Sequence, residues 1–162
     1  MFDVIIAITG LVAAITGLIP LVILLCKAIC GKVEVKISNK DFVVDDIVFD
    51  GQGGFDKNSY GYFTVSIINK KNVACIIEKI ECKLYLTKSK YDTISCKDAE
   101  TGTKYAGQFK YDDIYTIDVN AKSSKQVKVR LILPQKSSKY NKISMTYTVG
   151  KKEIENILWE RG

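Results

Sequence analysis

Two hydrophobic patterns divide the chain into two parts. Residues 4 to 26 form an apolar run without a single charge. At about 1.5 Å per residue, a helix of that length crosses the roughly 30 Å hydrocarbon core of a bilayer. From Val33 onward, apolar and polar residues alternate in short runs, which is typical of antiparallel strands with one buried face. The sequence therefore predicts an N-terminal transmembrane helix in residues 1–30, with the span at about 4–26, followed by a β domain of residues 31–162.

The alternating runs predict the architecture of the second part. Turn residues separate them: residues 69–72 predict a tight hairpin, residues 97–104 a loop, and residues 150–152 a final hairpin. About eight or nine strands in roughly 130 residues predict an antiparallel β-sandwich, immunoglobulin-like or a small barrel. The clearest runs are Phe63–Ile67, Ile80–Leu86, Val127–Leu133 and Ile143–Val149.

The charges that flank the apolar run predict its orientation. Asp3 is the only charged residue before it, whereas lysines follow it. A lysine excess marks the cytoplasmic side, so the N-terminus is expected outside and the β domain in the cytoplasm. A cleaved signal peptide is the alternative, but it requires a positive start and small residues before the cut, which this sequence lacks. The positive residues that flank the membrane segment are Lys27, Lys32 and Lys36.

A repeated heptad predicts contact between helices inside the membrane. Residues 7–13 read AITGLVA and residues 14–20 read AITGLIP. Small residues at a spacing of three and four let two helix backbones approach closely, which drives helix association in lipid. The repeat therefore predicts homo-oligomerisation through one seam. The seam residues are Ala7, Gly10, Ala14 and Gly17.

The same segment predicts a kink. Pro20 has no N–H group, so the carbonyl of Thr16 loses its usual helical partner. Thr16 falls near the middle of the predicted span, where an unpaired carbonyl costs several kcal/mol unless another group donates a hydrogen bond to it. A kink at Thr16 and Pro20 is therefore expected to face an interface rather than lipid.

The composition excludes common catalytic and metal sites. The chain has no histidine, which removes Ser-His-Asp and Cys-His catalysis and imidazole metal ligands. It has no Cys-x-x-Cys pair and no P-loop, so neither an enzyme nor a cofactor is predicted. Its five cysteines have no disulfide spacing. Cys75 and Cys82 are seven apart, which places them on opposite faces of a regular strand.

Aromatic residues interleaved with lysines form the best candidate for an anion site. The part after residue 26 carries 24 positive and 17 negative charges. Aromatic rings stack on bases and lysines neutralise phosphates, although the same residues also suit half-buried strands. The glycine-rich loop 51–59 and the aspartates near it match neither a phosphate loop nor a calcium loop. The candidate residues are Lys104, Tyr105, Phe109, Lys110 and Tyr111.

These observations support two functional hypotheses. The first is a single-pass membrane protein whose β domain binds a protein partner or the inner leaflet, and whose helices form a homo-oligomer. The second is an effector gated by a small anionic ligand, a nucleotide second messenger, that disrupts or perforates the membrane. This plan resembles the architecture of bacterial antiphage effectors with N-terminal membrane segments and a C-terminal β-barrel sensor, although those usually carry two spans. Nothing in the sequence indicates nucleic acid as a partner.

Overall fold

The computed structural model describes residues 18–20, 22–23, 31–45 and 59–162. Residues 18–20 and 22–23 are helical, and their large apolar side chains are about half exposed. Within these described ranges, no helix is long and apolar enough to cross a membrane. Thr16, Lys27 and the seam residues lie outside the described residues, so the span, the kink and the seam stay predictions. The seam residues concerned are Ala7, Gly10, Ala14 and Gly17.

The described part contains ten strands in two antiparallel sheets, which confirms the β class. The predicted count of eight or nine is too low because residues 97–104, expected to be a loop, belong to a strand. The predicted final hairpin is confirmed: Lys152 pairs with Val149 across Gly150, whose φ is 62°. The strands are β1 (Val33–Val43), β2 (Tyr60–Asn69), β3 (Cys75–Tyr85), β4 (Tyr91–Ser95), β5 (Lys97–Tyr105), β6 (Gln108–Asp113), β7 (Thr116–Val119), β8 (Ser123–Ile132), β9 (Lys142–Val149) and β10 (Lys152–Glu160).

The chain passes between the two sheets at one edge. Sheet 1 has the order β1-β2-β8-β5-β6, and sheet 2 has the order β10-β9-β3-β4, with β7 also paired to β3. The chain leaves sheet 2 at Cys96, between β4 and β5, and returns at Ile114, between β6 and β7. The N–H of Ile114 donates to the carbonyl of Cys96 at 2.8 Å, so the two crossings are tied together.

One hydrophobic cluster fills the space between the sheets, which gives a sandwich-like arrangement. The alternation predicted for Val127–Leu133 is confirmed, because Val129, Leu131 and Leu133 are buried. The wet face predicted for β9 is wrong, since Ser144 is 0% exposed. Because β9 lies between β10 and β3, the longer side chains of these neighbours cover its small polar residues.

A bulge in β3 changes which side chains face the core. The pairing with β9 shifts between Glu78 and Glu81, and Lys79 has a φ of 52°. A bulge adds one residue to the strand and reverses the alternation beyond it. Cys75 and Cys82 therefore both face the core, and the prediction of opposite faces is wrong because it assumed a regular strand.

The connection after β2 is not the predicted hairpin, because β2 and β3 belong to different sheets. The buried side chain of Asn69 organises this connection. Its amide nitrogen donates to the carbonyls of Val73, Val119 and Asn120 at 2.8, 3.3 and 2.9 Å. Its amide oxygen accepts the N–H of Lys71 at 3.0 Å. One side chain thus joins the turn between β2 and β3 to the turn between β7 and β8.

Candidate binding surface on the β5–β6 hairpin

The five predicted anion-site residues lie in one hairpin formed by β5 and β6. Its two-residue turn is Ala106-Gly107, with φ values of 47° and 81°. Two positive φ values are typical of the type I′ turn, whose twist matches that of the strands. The Phe109 ring covers Gly102 on the opposite strand, where an added Cβ would lie 2.6 Å from a ring carbon. Residues 97–104 thus form a strand despite their polar, glycine-containing sequence, because β6 pairs with them and the Phe109 ring packs over Gly102.

The distal part of the hairpin extends beyond its pairing with β8. The pairing of β5 with β8 involves Lys97 and Asp98, whereas the residues nearer the turn pair with β6. The tip side chains consequently have little cover: Tyr105 is 81% exposed and Phe109 is 47% exposed. Large aromatic side chains are thus held in water on a hydrogen-bonded ribbon.

The strand register divides the predicted residues between two faces. Phe109 lies opposite Lys104, and Tyr111 lies opposite Gly102. Since alternate residues of a strand point to opposite faces, these side chains share one face, and Tyr105 and Lys110 occupy the other. A groove of about 340 Å³ runs beside the hairpin. It is lined by Lys97, Tyr105, Phe109, Lys110, Tyr111 and Ile132.

Arg130 lies at the base of this surface, although no local sequence pattern marks it as part of a site. Its guanidinium lies 4.5 Å from the centroid of the Tyr111 ring and 5.3 Å from that of Tyr62. It also donates to the Tyr111 hydroxyl at 2.5 Å. Cation–π contacts and this hydrogen bond link β6 to β8 and β2 within sheet 1. The alternation in β8 indicated that Arg130 faces outward, but its aromatic neighbours come from strands distant in sequence.

The charges at the base of the hairpin are balanced by ion pairs. Lys97 lies 2.6 Å from Asp113, and Lys128 lies 2.7 Å from Glu100. The hydrogen-bonded ammonium of Lys97, with the Ser95 hydroxyl as a second contributor, lowers the pKa of the Asp113 carboxyl. These lysines are therefore largely neutralised by their partners.

The tip of the hairpin carries positive charge without such compensation. Residues 102 to 111 contain Lys104 and Lys110 and no acid. Among the described residues, neither lysine has an ion-pair partner. The tip thus presents two exposed ammonium groups beside exposed aromatic rings, which suits an acidic surface or an anionic ligand.

The remaining predicted elements lie elsewhere. The glycine-rich loop is outside the described residues apart from Ser59, as are the aspartates at 46, 50 and 56. The described part of the chain contains no group of three acidic, cysteine or histidine residues placed to hold a metal. Lys32 and Lys36 lie at the start of β1, well away from the hairpin in the strand order.

Comparisons with known proteins add no functional information. No family model matches the chain. No curated protein matches it either. One similar solved structure is described as the X-ray structure of Northeast Structural Genomics Consortium target SoR45, with a TM-score of 0.37 and 12% identity. The match covers 80% of this chain and 83% of that one. A likeness this weak carries no argument.

Proposed function

We propose that this protein is a membrane-anchored binding module whose β5–β6 hairpin contacts an acidic protein partner. The observation that carries the proposal is the 81% exposure of Tyr105 on the tip of a hydrogen-bonded hairpin, between two lysines that have no ion-pair partner in the described part of the chain. Contiguous apolar surface rimmed by polar residues marks interaction sites, and Tyr105 and Phe109 line the same groove. A partner that covers the tip gains apolar burial from Tyr105 and Phe109 and charge complementarity from the lysines.

The rigidity of the hairpin supports a role in recognition. Tyrosine and arginine are enriched among the residues that dominate binding energy, and a preformed surface loses less conformational entropy when it binds. The Arg130 contacts with Tyr62 and Tyr111 fix the base of the hairpin. The tip is therefore presented in a defined position while its side chains remain available.

The anchor in this proposal is the apolar run at residues 4–26, with the N-terminus outside and the β domain in the cytoplasm. The half-exposed apolar side chains at Leu18, Ile19, Val22 and Ile23 support it, because such a helix surface requires lipid or another helix as cover. Association of several copies through the small-residue seam would present several hairpins together. The protein acts in this proposal by binding alone.

A nucleotide-gated membrane effector is the second candidate. The observation that favours it is the groove lined by Tyr105, Phe109, Lys110 and Tyr111, since bases stack on aromatic rings. Small-molecule sites usually bury most of the ligand surface. A tyrosine that is 81% exposed leaves one side of a stacked base in water, so a protein partner fits the tip better.

Affinity capture with the full-length chain in detergent tests the proposal. The bait is compared with a Tyr105→Ala/Phe109→Ala variant and with a Tyr115→Ala control, which removes a 65%-exposed tyrosine outside the hairpin. The expected result is a set of acidic proteins that the native bait and the control retain and the hairpin variant loses. Identical captured sets for all three baits would refute the role of the hairpin.

A thermal-shift panel of linear and cyclic nucleotides separates the two candidates. The protein-partner proposal expects no nucleotide to raise the melting temperature of the full-length chain. A stabilising nucleotide whose effect disappears in Tyr105→Ala/Phe109→Ala would establish the effector instead. Release of a dye from liposomes that contain the protein then measures whether that nucleotide opens the membrane.

A further inference from the structure

One end of the β domain is built from turns rich in lysine. The register places the start of β1, the end of β2 and the start of β8 side by side, since Val33 pairs with Asn69 and Asn69 pairs with Ser123. In sheet 2, the start of β3 meets the end of β7, and the start of β10 meets the end of β9. This end therefore collects three turns, at residues 70–74, 120–122 and 150–151, together with the entry segment 31–32.

These turns and the entry segment contain lysines and no acid. Glu34 in β1 lies 2.7 Å from Lys70, and this ammonium lowers the pKa of the Glu34 carboxyl. Among the described residues, the other lysines here have no ion-pair partner. We call this surface the lysine face; it consists of Lys32, Lys70, Lys71, Lys122, Lys151 and Lys152.

Backbone contacts hold much of the lysine face in a fixed arrangement. The N–H of Lys70 donates to the carbonyl of Lys32, and the N–H of Lys122 donates to that of Lys71, both at 3.0 Å. The Lys122 ammonium donates to the Lys70 carbonyl at 3.0 Å, and the buried amide of Asn69 joins the same two turns. The charges are thus presented together on a stable support rather than on separate mobile loops.

The lysine face also contains exposed apolar surface. Val73 is 53% exposed in the turn between β2 and β3. Beside it, a groove of about 580 Å³ lies between β1 and β10, where Val33 and Val149 alternate with the lysines of the rim. Lysines around a protruding apolar residue are typical of surfaces that bind the interfacial region of an anionic membrane.

The path of the chain brings this end close to the predicted membrane helix. Gly31 is pressed against the turn between β2 and β3, since an added Cβ would lie 2.1 Å from the Lys70 carbonyl oxygen. Four residues separate Gly31 from the predicted end of the span at residue 26. Fully extended, four residues reach about 14 Å, so the entry segment keeps this end of the β domain near the predicted membrane surface.

We propose that the lysine face docks onto the anionic lipid headgroups of the membrane that holds the helix. This inference rests on the membrane anchoring in the proposed function, but it uses a different surface from the hairpin. Several lysines on one face attract anionic lipid together, and the half-exposed Val73 adds apolar contact at the headgroup boundary. Docking fixes the orientation of the β domain, so that the hairpin faces its partner in a defined direction.

Hydrogen exchange of the full-length chain in lipid nanodiscs tests this docking. The discs contain phosphatidylcholine alone or phosphatidylcholine mixed with phosphatidylserine. The expected result is slower amide exchange in residues 70–74, 120–122 and 150–152 in the serine-containing discs, and loss of this difference at high salt. Residues 86–90, at the opposite end of β3, are expected to exchange equally in both discs.

A matched pair of variants tests whether the lysines cause the effect. Lys151→Glu/Lys152→Glu reverses two charges of the lysine face and is expected to abolish the lipid-dependent protection. Lys88→Glu/Lys90→Glu makes the same charge change in an exposed turn at the other end and is expected to preserve it. Protection that is equal in the two discs, or that survives Lys151→Glu/Lys152→Glu, overturns the proposal.

Two further measurements distinguish failure of the lysine-face proposal from failure of the membrane anchoring. Equal protection by inorganic phosphate in pure phosphatidylcholine discs overturns the lipid assignment in favour of a soluble anion. Co-elution of the chain with the disc at high salt reports on the anchor separately. A chain that leaves the disc refutes the membrane anchoring, whereas a chain that stays without lipid-dependent protection refutes the lysine face alone.

Discussion

Strand β9 and the distal half of the β5–β6 hairpin are both antiparallel β structure, yet their environments are opposite. In β9, residues 143 to 147 are buried on both faces. In the hairpin, most residues from 103 to 110 are exposed, and both faces meet water. Packing therefore determines which side chains β9 accepts, whereas turn geometry and backbone pairing maintain the hairpin. This difference leaves the hairpin side chains free for recognition.

The strongest test of this contrast is a cavity in β9. Ile143 is fully buried in the core, so Ile143→Ala is expected to lower the free energy of unfolding by about 2–5 kcal/mol. Urea unfolding followed by circular dichroism measures the change. A loss below about 1 kcal/mol would mean that the space refills, and that β9 is not the rigid centre of sheet 2.

Arg130 is partly buried at the base of the hairpin, so its replacement should have an intermediate effect. Arg130→Ala removes the hydrogen bond to Tyr111 and both ring contacts, with an expected loss of about 1–2 kcal/mol. Arg130→Lys keeps the charge but not the planar stacking, so it should restore only part of this stability. Faster amide exchange confined to β6 would show that the hairpin base has loosened, and unchanged exchange there would contradict this role.

The pH dependence of the free energy of unfolding tests the burial of Tyr147. Burial raises the pKa of Tyr147 in β9, although a hydrogen bond from Asn156 opposes the rise. The folded state therefore favours the neutral phenol. Its contribution to stability is complete below the pKa of an unfolded tyrosine and is lost as the pH rises through the higher folded value. Tyr147→Phe is expected to flatten the alkaline part of the stability profile, and an unchanged profile would argue against this assignment.

The smallest effect is expected at the hairpin tip. Tyr105→Ala removes a side chain with little contact to the domain, so the free energy of unfolding should change by no more than about 0.5 kcal/mol. The same urea titration as for Ile143→Ala provides the comparison. A loss similar to that of Ile143→Ala would show that the tip packs against the domain and would remove the main support for the binding proposal.

Local sequence patterns were sufficient to predict burial where one face of a strand meets the core. The alternation at Val127–Leu133 is an example, because burial there follows the period of the strand. The loop predicted for residues 97–104 is wrong, since a polar, glycine-containing segment indicates a loop unless its partner strand is known. The bulge at Lys79 was not predicted, for a related reason. No residue nearby distinguishes the bulge from regular strand, because its position follows from the pairing with β9.

Only part of the candidate site could be predicted from the sequence. The lysines and aromatic residues of the hairpin are neighbours in sequence, so their composition identified them. Arg130 meets Tyr62 and Tyr111 because β2, β8, β5 and β6 are ordered in that way in sheet 1. The lysine face likewise combines Lys32 and Lys152, which are 120 residues apart in the chain. Such long-range placement cannot be inferred from local composition.

Asn69 makes the domain intolerant of an exchange that ordinarily counts as mild. Asparagine and aspartate have the same size and shape, but only the amide nitrogen can donate to the carbonyls of Val73, Val119 and Asn120. An aspartate there would direct a carboxylate oxygen at these carbonyls inside a buried site. Exchange of one nitrogen for oxygen at this position would therefore remove the bonds that join two of the turns of the lysine face.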